Sequence, residues 1–163
     1  MSDRIQLMRW GGDCLMEMQT TPEDVMETVS RFLMRFKISG KVMVVDIDQD
    51  WLYTVETLLE PWGFKVTTLA EIQQVWTVLD AVEPDALVLD INFPNIDGLE
   101  ICKLLRRDPS WCQLPILFLS DSMEPDMQAQ AFRAGADDYL CKAMMAQELP
   151  HRIMNRLQRS IGA

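Results

Sequence analysis

"VMVVDIDQDW", residues 42–51, runs four consecutive apolar residues into aspartates at positions 46, 48 and 50, with Ile47 set among them. An unbroken apolar run that ends in charge is the pattern of a strand covered on both faces, at the point where it leaves its sheet. Two further stretches have the same form: "ALVLD" (86–90), ending at Asp90, and "PILFLS" (115–120), ending at Ser120. "FKVTT" (64–68) alternates instead, as a half-exposed edge strand does, and "DYLCK" (138–142) is a shorter fifth candidate that ends at Lys142. The stretches between them are helical in pattern. Ile72, Val75, Trp76 and Leu79 share one helical face, and Leu149, Ile153, Leu157 and Ile161 recur at four-residue steps. Asp97 is placed to cap the helix "GLEICKLLRR", Pro125 to open "EPDMQAQAFRAG", and Gly135 to close it. Pro150 is tolerable in the last helix only within its first turn.

Strands alternating with helices across residues 41–163 predict an α/β fold, a doubly wound five-stranded parallel sheet. Residues 1–40 stand outside this alternation. Thr21, Pro22, Glu23 and Asp24 form a helix start, and Val25, Val29, Phe32, Leu33 and Phe36 form an apolar stripe, so an N-terminal helical extension over roughly 22–37 is expected.

Composition narrows the function. The 163 residues are 48% apolar, enough for a real core, and carry a net charge of −10. That field repels nucleic acid, so direct DNA binding is not expected. Cys14, Cys102, Cys112 and Cys141 lack metal-ligand spacing, and no apolar run reaches membrane-spanning length. A cytoplasmic protein with reduced thiols and no membrane contact is the expectation.

In doubly wound sheets ligands bind beyond the carboxyl ends of the strands, where the winding reverses. This chain puts Asp46, Asp90, Ser120 and Lys142 at those ends. Clustered carboxylates ionise together only around a cation, and hard oxygen ligands of this kind suit Mg²⁺. The metal would hold a phosphoryl group, Lys142 would neutralise another of its oxygens, and Ser120 would donate a hydrogen bond. Asp90 becomes a candidate nucleophile for an aspartyl phosphate.

"VMVVD", "LVLDINFPNIDGLEICKLLR", "ILFLSD" and "AGADDYLCKA" together resemble the receiver domain of two-component response regulators, over residues 41 to about 160. The resemblance implies a flavodoxin-like strand order, 2-1-3-4-5, with residues 41–163 as the receiver domain. It implies that Asp90 accepts a phosphoryl group from a histidine kinase or a histidine phosphotransfer protein, assisted by Lys142 and Ser120. Ser120 and Tyr139 would be the switch pair. Asp46, Asp90 and the backbone carbonyl of Asn92 would hold Mg²⁺, and the side chains of Asn92 and Ser122 would border the path of hydrolytic water. The implied role is a signalling phosphoacceptor in a phosphorelay, catalysing only its own phosphorylation and dephosphorylation.

Two residues depart from the family. Receivers carry a second acid directly after the first, and here that position is Ile47; Asp48, two residues past Asp46, is close enough in the chain to substitute. Ala143 replaces the proline that usually follows the lysine, so the loop orienting Lys142 is expected to differ. Loss of the acid at 47 supports an alternative, a receiver fold that binds partners without phosphate. A hydrolase of the haloacid type using Asp90 is a weaker alternative, suggested by "DIDQD" at 46–50.

"GADDYL" followed by Glu148, Arg152 and Arg159 also resembles regulators that dimerise through the fourth helix, fifth strand and fifth helix. Asp137, Asp138, Glu148, Arg152 and Arg159 match that homodimer face, while Gln128 stands where a basic residue is expected. No winged helix follows within this chain, so output is expected through a partner or through sequence outside it. Asp50 reads as a first-turn acid, His151 as a surface residue, and most methionines as core filler.

Overall fold

The computed structural model describes residues 40–161, with the side chains of 159–161 left aside; the helix expected over 22–37 lies outside the described residues. Five strands are present: β1 (Lys41–Val45), β2 (Lys65–Leu69), β3 (Ala86–Leu89), β4 (Ile116–Ser120) and β5 (Asp138–Cys141). The helices between and after them are α1 (Gln49–Leu59), α2 (Val75–Val82), α3 (Gly98–Leu105), α4 (Pro125–Ala134) and α5 (Met145–Ile161). All pairings are parallel and the strand order is β2-β1-β3-β4-β5, as expected. The alternating "KVTTL" is an edge strand, and the three apolar runs occupy the middle of the sheet.

Period-two alternation in the central strands feeds two separate cores. Met43, Val45, Leu87, Leu89, Ile116 and Phe118 pack with α2, α3 and α4, through Val75, Leu79, Leu99, Cys102, Leu105 and Ala131. Val42, Val44, Ala86, Val88, Leu117 and Leu119 pack on the opposite face with α1 and α5, through Leu52, Val55, Leu59, Leu149, Ile153 and Leu157. The chain therefore leaves β1 toward one face and β3 toward the other, which opens a crevice between their carboxyl ends.

The caps follow the sequence. Asp97 accepts a hydrogen bond from Leu99 N at 2.9 Å, Pro125 is the first residue of α4, and Gly135 ends it at φ 103°. Pro150 does not fall in a first turn. A 3₁₀ turn at Lys142–Met144 leads into α5 at Met145, so Pro150 is an interior residue of that helix. The carbonyl of Ala146 thereby loses its helical donor, and Ala146 is exposed, where water can meet it. Among the described residues no peptide bond is cis and no helix is long and apolar enough to cross a membrane.

Candidate functional site

Register brings the two principal acids together. Val45 pairs with Leu89, and the ladder continues one residue further: Asp46 N donates to Leu69 O (3.2 Å) and Asp90 N to Val45 O (2.9 Å). Asp46 and Asp90 thus leave the sheet side by side at the crevice, both buried. Lys142, carried by the 3₁₀ turn after β5, reaches across to them. Its Nζ lies 2.7 Å from Asp46 Oδ2 and 3.3 Å from Asp90 Oδ2, and its side chain is only 4% exposed. The turn replaces the geometry a proline at 143 would impose, yet it delivers the ammonium to the acid pair.

The three alternating aspartates have three different tasks. Asp46 pairs with Lys142 through Oδ2 and accepts from Asp48 N through Oδ1 at 2.9 Å. Asp48 is the N-cap of α1, its Oδ1 accepting from Asp50 N (2.9 Å) and Trp51 N (3.3 Å). Asp50 stands in the first turn of that helix, where a carboxylate is favoured by the positive end of the dipole. Asp48 is therefore occupied with backbone, and releasing it toward a metal would give up a cap worth about 1 kcal/mol. Ile47 points outward, 49% exposed.

The charge balance is uneven. Burial, followed by the charge of Asp46, pushes the Asp90 carboxyl above its ordinary value, and Lys142 with the Ile91 N–H (2.7 Å to Oδ1) only partly counters this. Burial also pulls on the Lys142 ammonium, but its hydrogen bond to Asp46 and the charge of Asp90 outweigh that and hold it above the usual lysine range. Two buried carboxylates share one ammonium, which leaves a surplus of negative charge. Among the described residues no group of three or more His, Cys, Asp or Glu converges as a metal cage. Mg²⁺ needs no such cage, because it is commonly bound through one or two carboxylates, retained waters and a substrate phosphate. Asp46 and Asp90 fit that sparser donor set.

The floor of the site is set by Gly98, the first residue of α3. A Cβ there would lie 2.2 Å from the carbonyl oxygen of Asp90, so only glycine lets α3 approach so closely. The segment between, which contains Asn92, is tied by a bridge from Asn92 to Asp97 and by Gly98 N to Ile91 O at 2.9 Å.

On the β4 side, Ser120 is buried and its Oγ accepts from Ser122 N at 3.2 Å. Tyr139, buried in the core on the α2–α3–α4 face, donates its hydroxyl to Ser122 O at 2.7 Å. The expected switch residues are thus joined through one loop. Ser122 also uses its hydroxyl to accept from Glu124 N (3.1 Å), immediately before α4.

The residues expected at a dimer face are engaged within the chain. Asp137 accepts from Arg106 (2.7 Å) and from Ile116 N (2.8 Å). Asp138 accepts from Arg152 (2.6 Å) and Arg156 (3.4 Å), and Arg152 also reaches Glu148. The side chain of Arg159 lies outside those described. His151 is exposed, as expected, and meets Trp62 edge-on at 4.7 Å. Cys102, Cys112 and Cys141 are free; burial pushes the Cys102 thiol up to about 11, the mark of an inert core cysteine.

Two contributors escape a reading of the sequence. Arg106, at the end of α3, donates from Nε to Gly135 O (2.8 Å) and from Nη1 to the carbonyls of Leu114 (2.7 Å) and Cys112 (3.3 Å), besides binding Asp137. Nothing in "LLRR" separates it from an ordinary surface arginine. Trp51 places its ring under the Lys142 ammonium, 5.2 Å from Nζ to the centroid. Its signal was its position, three residues after the cap Asp48 and so on the turn of α1 that faces the crevice.

The sequence profile described as "Response regulator receiver domain" matches residues 42–154. Among curated relatives, Protein RcaC of Microchaete diplosiphon is 57% identical over 159 residues, which is 98% of this chain and 24% of that protein. The transcriptional regulatory protein PrrA of Mycobacterium leprae is 36% identical over 121 residues, 74% of this chain and 51% of PrrA. This chain thus spans about a quarter of RcaC and half of PrrA. Among solved structures, a putative response regulator from Chloroflexus aurantiacus is 34% identical, with a TM-score of 0.70 covering 74% of this chain and 98% of its own. The BeF3-activated DrrB receiver domain is 27% identical, with a TM-score of 0.66 over 75% of this chain and 100% of its own.

Proposed function

We propose that this chain, which belongs to the family of response regulator receiver domains, is a phosphoacceptor whose acceptor residue is Asp90. The observation that carries the proposal is the buried Lys142 ammonium bridging Asp46 and Asp90 at the crevice between β1 and β3. The donor would be a histidine kinase or a histidine phosphotransfer protein. A carboxylate oxygen of Asp90 attacks phosphorus; the O–P bond forms as the P–N bond to the donor imidazole breaks, and the departing nitrogen keeps the electron pair. Lys142 neutralises the non-bridging phosphoryl oxygens, and Ser120 donates its hydroxyl to one of them. Asp46, Asp90 and the Asn92 carbonyl would hold Mg²⁺, which when bound supplies positive charge to the phosphoryl oxygens.

Once phosphorylated, Asp90 would draw the Ser120 hydroxyl away from Ser122 N and loosen the loop that Tyr139 holds. That loop opens α4, so the change would spread to the α4–β5–α5 face. Hydrolysis along a path bordered by Asn92 and Ser122 would reset it. A homodimer on that face requires Asp138, Glu148 and Arg152 to exchange intrachain partners for interchain ones, and sedimentation with and without beryllofluoride tests it: an unchanged monomer refutes the dimer.

A second reading has its own support. Ile47 supplies no ligand and Asp48 caps α1, which favours a phosphate-independent interaction module. Intact mass after incubation with phosphoramidate, with and without Mg²⁺, separates the two. A Mg²⁺-dependent gain of one phosphoryl group that vanishes in Asp90→Ala is the expected result. A folded sample that gains nothing at any Mg²⁺ concentration overturns the phosphoacceptor reading in favour of the module.

A further inference from the structure

We infer that Trp51 is a positioning residue for phosphoryl transfer, its indole face holding the Lys142 ammonium at the acid pair. This rests on the phosphoacceptor reading and adds to it a residue outside the acid–lysine–hydroxyl set.

Three observations support it. The Lys142 Nζ lies 5.2 Å from the ring centroid, inside the range of cation–π attraction, and tryptophan is the strongest ring for it. The lysine side chain is 4% exposed, so water does not screen the contact. The ring is itself anchored, because Trp51 N donates to the cap Asp48 and the side chain packs against the core shared by α1 and α5.

The chemistry explains why a ring serves here. Lys142 has three N–H donors, and its partners Asp46 and Asp90 lie at 2.7 and 3.3 Å, with Asp121 at 4.0 Å on an exposed loop. When Asp90 becomes an acyl phosphate it loses its charge, and the ammonium must follow the phosphoryl oxygens. A carboxylate beneath the lysine would compete for those donors. An aromatic face attracts the cation while accepting none of them strongly, so the N–H groups stay available to phosphate. Position 47, apolar in this chain, adds no negative charge to hold the lysine, and the π face of Trp51 provides attraction from the α1 side.

The test uses the full chain with Trp51→Phe, Trp51→Leu and wild type, phosphorylated by phosphoramidate in one Mg²⁺ buffer and followed by intact mass. A desolvated cation–π contact predicts a rate at saturating phosphoramidate lower by on the order of tenfold in Trp51→Leu, with Trp51→Phe recovering part of it. Thermal midpoints identify any variant that has lost its fold. In parallel, NMR of the Lys142 side-chain methylenes should show an upfield ring-current displacement that disappears in Trp51→Leu. Wild-type rates in Trp51→Leu, equal losses in the Phe and Leu variants, or Lys142 methylenes without the ring-current displacement in the wild-type chain overturn the inference. Failure of the wild-type chain to gain phosphate instead overturns the phosphoacceptor reading, and the ring-current displacement then still reports whether the contact exists.

Discussion

Replacing Lys142 by methionine removes the cation between two buried acids while keeping the length of the side chain. At an effective dielectric of 20, Coulomb's law gives about 6 kcal/mol for the 2.7 Å contact to Asp46 and about 5 kcal/mol for the 3.3 Å contact to Asp90. Most of this is offset by the cost of burying the ammonium, and removal of one partner from a buried ionic group typically destabilises by about 3–5 kcal/mol, because charge is left uncompensated. Mg²⁺-free urea unfolding at pH 8 should therefore lose roughly 2 M in midpoint for Lys142→Met, taking a slope of about 2 kcal/mol/M. The loss should shrink on acidification. Without the lysine the Asp90 carboxyl rises further, the folded state binds a proton that the unfolded chain releases, and stability increases as pH falls toward 5. Adding Asp90→Asn to the variant should recover a large part of the loss at pH 8. A midpoint within about half a molar of wild type at pH 8, or a deficit unaffected by pH, would refute the placement of Lys142 as the neutralising charge.

Asp90→Asn alone should raise the thermal midpoint in the absence of Mg²⁺. Because burial and Asp46 push the Asp90 carboxyl up, the wild type loses stability as pH rises from about 4 through that raised value, so the advantage of the variant should grow across that window and then level off; calorimetry from acid to neutral pH checks this. Ile47→Asp should tighten Mg²⁺ binding by about tenfold, or 1.4 kcal/mol, measured by titration calorimetry. Asp48→Ser keeps a capping oxygen while removing the carboxylate, and should leave both Mg²⁺ affinity and stability near wild type; a marked loss of affinity would make Asp48 a ligand after all. Arg106→Ala should cost about 2–3 kcal/mol in chemical denaturation, since it strips charge-assisted donors from three carbonyls and from Asp137.

The sheet was legible because its buried strands are nearly pure apolar runs and its edge strand alternates, which is a direct imprint of being covered on two faces or one. The acid–lysine–hydroxyl set was legible for a related reason, as each member directly ends or follows such a run. What the sequence could not show was the use of each aspartate in "DIDQD". A capping carboxylate and a metal ligand have the same letter, and only the hydrogen bonds from Asp50 N and Trp51 N distinguish Asp48 from Asp46. The charges of the fifth strand and fifth helix were likewise visible as charges but not as intrachain pairs, because partners such as Asp138 and Arg152 lie 14 residues apart. The place of Pro150 depended on where the last helix begins, and the 3₁₀ turn at Lys142–Met144 leads into that helix at Met145, which leaves the proline in its interior.

Arg106 gives the domain a mechanical asymmetry. Its guanidinium fastens the end of α3, the loop before β4 and Gly135 at the close of α4 into one knot at the edge of the sheet remote from Asp90. The opposite end of α4 rests Met127 on the core and follows the short loop that Ser122 and Tyr139 hold together. Fastened by the polar knot at its tail, α4 would swing about that end on the proposed phosphorylation of Asp90, and the event would be read out as an angle. Amide exchange should accordingly quicken at residues 122–128 on loading with beryllofluoride while residues 131–137 stay protected, and uniform quickening along α4 would mean that the hinge is not there.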